Sequence, residues 1–268
     1  MFFLKQSWLF NYSCYYKNMK KKPINLTPIR EFFNTVTYDK SASQTEIYNF
    51  YKSLLSIVLQ SNNIEENKYS ISLHLIKKMT RDDEDAYMCQ EEKDLSKFHI
   101  YLPKKSFKLK GNSNEDMEEF LYLTYVFLHE CAHVVQYIKY QELMDDYDTT
   151  RNKADKLINS YIDSNNSLSD IKMVYRAYLK HVSAKNLISC VEKDANFQAY
   201  HMFKNILLCL IKTEHDINLK ILYEDILIYI RKIRKDDFRD YRAERIANIQ
   251  ALQTLEKYGI HAENLITF

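Results

Sequence analysis

Two histidines and a glutamate in the middle of the chain have a spacing that can do chemistry: His129-Glu130-Cys131-Ala132-His133. On an α-helix, residues four apart are turned by only about 40°, so the two imidazoles share a face, one turn apart. That is the geometry two ligands of a single Zn²⁺ ion need. Glu130 lies about 100° round from His129, beside such an ion rather than on it, where its carboxylate can take a proton from water that the metal activates. The other side of this helix is apolar: Phe120, Thr124, Phe127, Cys131, Val134 and Ile138 fall within about 40° of the pole facing away from His129. The segment therefore has a histidine side and a core side.

A plainer reading of the same residues is two half-exposed histidines in ion pairs on an amphipathic helix. Against it, Tyr122, Tyr125 and Val126 stand near the histidine face, so the helix is expected to be buried on most sides. A buried His-Glu-His group needs partners for its polar atoms, and zinc would provide one. A catalytic zinc ion takes three protein ligands and keeps its fourth position open. No histidine follows at the spacing HExxHxxGxxH, so the third ligand comes from further along the chain. Glu192 is the best candidate, early in a helix expected over residues 187–213. Asn196 is one turn on and can hold a ligand imidazole through its second nitrogen, while Ala195 and Ala199 are small enough for two helices to approach closely. Asp194 points about 160° away and is the poorer choice. The other reading of Glu192 is an ordinary first-turn carboxylate favoured by the helix dipole.

HExxH followed by ExxAN resembles the gluzincin metallopeptidases. The stretch Glu192 to Ala199 (EKDANFQA) is most similar to the ImmA/IrrE-type regulatory peptidases, and His129 to Gln136 (HECAHVVQ) also resembles metallopeptidase domains carried by contractile injection systems. The CAAX-prenyl and heat-shock membrane peptidases share a Glu-x-x-Ala-Asp signature, but their membrane helices have no counterpart here. The resemblance extends over roughly residues 69–213. It implies a zincin fold, a Zn²⁺ cofactor, hydrolysis of peptide bonds in a protein or peptide substrate, His129, His133 and Glu192 as ligands, and Glu130 as general base. The competing expectation is a catalytically silent zincin-fold protein that binds or regulates. A structural zinc site normally has four protein ligands, and in such a protein Glu130 would have no reason to be Glu.

The elements that must position these residues are mostly helical. With only Gly111, Gly259, Pro23, Pro28 and Pro103 to force turns, the composition argues against a hairpin-rich sandwich or barrel and favours long helices. Thr27 and Pro28 open a helix over Ile29 to Val36, and Ser43 with Glu46 forms a capping box ahead of a second. Two β-like runs follow, Tyr69 to Ile76 and Phe98 to Leu102, separated by the acidic stretch Arg81 to Asp94. The second run is either the edge strand that pairs with an extended peptide or an internal strand. Asn112 and Glu115 can cap a helix running to about Tyr140, and further helices are expected over 151–163, 168–184, 187–213, 217–233 and 237–258, with Gly259 as a stop. The fold expected is α+β, predominantly helical, a single zincin-like domain over residues 1–268 with a small sheet and a helical second lobe. Within it, 19–66 are N-terminal helices, 67–140 the sheet and active-site helix, and 141–268 the helical lobe, while Met19 before three lysines reads as an alternative start that makes 1–18 a dispensable extension.

Composition narrows the function classes. Lys and Arg number 38 against 36 Asp and Glu, a net charge of +2 with the signs mixed along the chain, so no nucleic-acid partner is expected. The five cysteines show no CxxC spacing, which argues against a disulfide framework, a cysteine-based zinc site and the ligand set of zinc deaminases. The apolar run Phe120 to Leu128 is less than half of what a membrane span needs. Lys5, Gln6 and Asn11 interrupt the N-terminal apolar segment, so the chain is expected to be cytoplasmic, or exported without a recognisable signal peptide.

Overall fold

The computed structural model describes residues 24–39, 41–76, 86–109, 114–162 and 184–237. The extension 1–18, Met19, Asn112, Gly259 and nearly all of the helices expected over 168–184 and 237–258 lie outside the described residues. Within them the fold is α+β and mostly helical. The helices are α1 (Thr27–Asp39), α2 (Gln44–Ser61), α3 (Asn114–Lys139), α4 (Gln141–Ile162), α5 (Ala184–Thr213) and α6 (Ile217–Asp237), and the strands are β1 (Ser70–Ile76), β2 (Tyr87–Glu91) and β3 (Asp94–Pro103). No helix among the described residues is long and apolar enough to cross a membrane.

Local chemistry sets several of these boundaries. Ser43 Oγ accepts from Glu46 N at 3.2 Å and Glu46 Oε2 accepts from Ser43 N at 2.7 Å, a complete capping box at the start of α2. The first helix opens differently from expectation: Asn25 Oδ1, not Thr27, provides the side-chain acceptor, 3.0 Å from Thr27 N. Between α3 and α4 the chain bends at Tyr140 alone, with neither Gly nor Pro there. Tyr140 N still donates to Gln136 O at 2.7 Å and Met144 N to Tyr140 O at 3.1 Å, so the ladders of the two helices are joined through the corner. As a result α4 begins ten residues before the expected start at 151.

The sheet has three strands in the order β1-β3-β2, with β1 parallel and β2 antiparallel to β3. Phe98 to Leu102 therefore belongs to the central strand, and its reading as the peptide-pairing edge is corrected. The edge nearer the acidic stretch is β2, which pairs Tyr87 with Tyr101 and Met88 with Ile100. Alternation along β3 shows why it is central: Phe98, Ile100 and Leu102 are fully buried on one face, while His99 and Tyr101 lie on the other.

The core is aromatic where α1, α2 and α3 meet. Phe32 stacks on Phe50 at 4.2 Å between centroids, Tyr51 meets Phe127 at 4.7 Å, and Tyr223 of α6 packs edge-on to Phe33 at 5.7 Å. The expected core side of α3 is buried, with Phe120, Thr124, Phe127, Cys131 and Val134 each at most 1% exposed. This anchoring leaves the histidine side of α3 to face α5 and the sheet edge.

Candidate metal centre

The cluster is built where α3 and α5 cross. Ala195 and Ala199 of α5 are buried, and the absence of larger side chains lets that helix lie close against α3. Two hydrogen bonds fasten the crossing: Tyr125 Oη donates to the carbonyl of Asn196 at 3.1 Å, and the Gln136 amide donates to the carbonyl of Val191 at 3.1 Å. Glu192 is thereby brought opposite the two histidines, 63 residues after His129 in sequence.

His129 Nε2 lies 3.0 Å from His133 Nε2 and 3.1 Å from Glu192 Oε2, and His133 Nε2 lies 3.4 Å from the same oxygen. Tetrahedral ligands at the usual zinc distances stand about 3.3 Å from one another. The three atoms thus have the separations of three corners of a zinc tetrahedron. Two imidazole nitrogens and one carboxylate oxygen form a donor set suited to Zn²⁺. No other group of three or more such residues converges in this way among the described residues.

Each of the three side chains is held from behind. Asn196 Oδ1 lies 2.9 Å from His129 Nδ1, and Gln136 Oε1 lies 2.8 Å from His133 Nδ1. The hydroxyl of Tyr147, on α4, donates to Glu192 Oε1, and Arg151 Nη1 donates to that hydroxyl at 2.9 Å. Asp194 is outside the cluster, accepting from the amides of Gln136 at 2.7 Å and Gln198 at 2.6 Å.

The charges of the cluster are strongly coupled. Burial by itself would raise the Glu192 carboxyl, but hydrogen bonds to His129 and His133 outweigh it and hold the group well below the usual carboxylate range. Burial would lower the imidazole of His133, yet Glu192 and Glu130 raise it above its ordinary value of 6.5. Glu130 is 8% exposed, and burial raises its carboxyl above the ordinary 4.5 against the opposing pull of His133 and His129. It sits beside the cluster without joining it.

All four residues open onto a cleft of about 330 Å³. Its walls include five tyrosines, Tyr87, Tyr122, Tyr125, Tyr137 and Tyr147, together with Ala86, Met88 of β2 and Arg151 of α4. Sequence reasoning had His129, Glu130, His133, Glu192 and Asn196, and the structure brings these five to one cleft. It did not find Tyr147, Arg151, Gln136 or strand β2. The signal for Tyr147 was the buried spacing Leu143, Met144, Tyr147, which belongs to a helix beginning at Gln141. Comparison with family models, with curated proteins and with solved structures finds no match to the chain.

Proposed function

We propose that this chain is a zinc-dependent endopeptidase of the gluzincin type on a zincin-like scaffold, with His129, His133 and Glu192 as metal ligands and Glu130 as general base. The observation that carries the reading is the 3.0–3.4 Å separation of His129 Nε2, His133 Nε2 and Glu192 Oε2, all on the wall of one cleft.

Zinc bound there supplies Lewis acidity, which polarises a peptide carbonyl and makes water a better nucleophile near neutral pH. Glu130 accepts the proton of the attacking water and passes it to the departing amine, a task that suits a carboxyl whose proton affinity burial has increased. Asn196, Gln136 and Tyr147 keep the three ligands turned toward one point. Among the described residues β2 pairs with β3 on one side only, and its residues Tyr87 and Met88 stand in the cleft wall. An extended peptide lying in the cleft would run past β2, with its apolar side chains against the tyrosines. The substrate class is a protein or peptide.

The test is metal content by mass spectrometry beside cleavage of an unbiased peptide library. About one zinc per chain, lost in the His129→Ala/His133→Ala double variant together with cleavage, supports the reading. Zinc retained by the double variant overturns the site. Zinc lost by the variant but no cleavage by the wild type favours the silent binding or regulatory protein.

A further inference from the structure

Gln136 is 2% exposed and lies between three acceptors or potential acceptors. One end of its amide is 2.8 Å from His133 Nδ1, and the other is 3.1 Å from the carbonyl of Val191 and 2.7 Å from Asp194 Oδ2. A main-chain carbonyl can only accept, so the end facing Val191 must be the NH₂ group and the end facing His133 must be the oxygen. An amide oxygen at hydrogen-bond distance from a ring nitrogen requires a proton on that nitrogen. The neutral imidazole of His133 therefore carries its hydrogen on Nδ1, leaving the lone pair on Nε2. That is the nitrogen 3.0 Å from His129 Nε2 and 3.4 Å from Glu192 Oε2.

Asp194 acts one step further out. It lies two residues after Glu192 on α5, on the other side of that helix, and accepts from Gln136 and from Gln198 at 2.6 Å. A flip of the Gln136 amide would set its oxygen against both the Val191 carbonyl and the Asp194 carboxylate, two repulsions at once. The chain Gln198, Asp194, Gln136, His133 thus carries orientation from α5 to the ring on α3.

We propose that Gln136 and Asp194 are positioning residues that lock His133 in the Nδ1–H tautomer, so that Nε2 is ready to ligate before metal arrives. The role in ligation rests on the reading of His129, His133 and Glu192 as a metal centre, whereas the tautomer itself does not. Both are measured on the full chain: the tautomer by two-bond ¹H–¹⁵N correlation of labelled histidines without metal, and zinc affinity by competition with a chelator. At a pH where the ring is neutral, wild-type His133 shows the Nδ1–H pattern. Gln136→Met, which keeps length but removes the acceptor, yields a mixture of tautomers and about 10–100-fold weaker zinc binding. Asp194→Asn weakens binding less, because the Val191 carbonyl still orients Gln136. A wild-type His133 found as the Nε2–H tautomer overturns the proposal whatever the variants do, including any that fail to fold. So does a folded Gln136→Met protein with an unchanged tautomer and unchanged affinity. A wild type that shows the Nδ1–H pattern but binds no zinc upholds the lock and instead rejects the metal centre.

Discussion

The hydroxyl of Tyr147 donates to Glu192 Oε1, tying α4 to α5 at the rim of the cluster. With Oε1 engaged there, Oε2 is the oxygen that faces both imidazoles, at 3.1 and 3.4 Å. Tyr147→Phe removes only that hydroxyl. The expected outcome is an unchanged fold and about tenfold weaker zinc binding, read by chelator competition. An affinity equal to the wild type would mean that α5 alone orients Glu192.

Asn196 has the matching role for His129, with Oδ1 2.9 Å from Nδ1. Asn196→Ala is expected to lower zinc affinity by about 10–100-fold while leaving the circular dichroism spectrum intact. A larger effect of Asn196→Ala on melting temperature than on affinity would count against this role.

Glu130 stands in the cleft wall outside the group formed by His129, His133 and Glu192. Glu130→Gln is nearly isosteric but cannot take a proton, so the variant is expected to bind one zinc ion and to lose peptide cleavage by orders of magnitude in kcat. Wild-type cleavage by a zinc-loaded Glu130→Gln protein would overturn Glu130 as the general base.

Phe127 is fully buried on the core side of α3, its ring 4.7 Å from that of Tyr51. Phe127→Ala is expected to cost about 3–5 kcal/mol of stability in urea denaturation. A loss below about 1 kcal/mol would show that α3 is not anchored by this contact.

The capping box of α2 makes part of the stability pH-dependent. The hydrogen bond with Ser43 lowers the Glu46 carboxyl below its ordinary 4.5. The unfolded chain then binds the proton more readily than the folded one, so this contribution is present above 4.5 and is lost as pH falls through the lower folded value. Wild type should exceed Glu46→Gln in urea midpoint near neutral pH and converge with it in acid. A gap that stays constant down to about pH 3 would contradict the assignment.

Periodicity was enough to show α1, α2, α3, α5 and α6 and the two faces of α3, because a 3.6-residue repeat of apolar side chains is a local property of the chain. Ser43 and Glu46, or His129 and His133, are close enough in sequence for helix geometry alone to bring them together. The acidic stretch hid β2, since an edge strand of five residues has little apolar alternation to display. The Tyr140 corner hid the start of α4, since neither Gly nor Pro marks it.

The sequence by itself therefore determined the donor types and the spacing within each helix: two imidazoles one turn apart, a carboxylate beside them, and Glu192 one turn ahead of Asn196. Only the tertiary structure decided which groups meet across helices. Glu192 reaches His129 because α3 and α5 pack through Ala195 and Ala199. Tyr147 reaches Glu192 because α4 starts at the Tyr140 bend, and Asp194 reaches His133 only through Gln136. The physical reason is one of range. Helical spacing follows from backbone geometry over a few residues, whereas the approach of two helices depends on burial summed over many side chains at once.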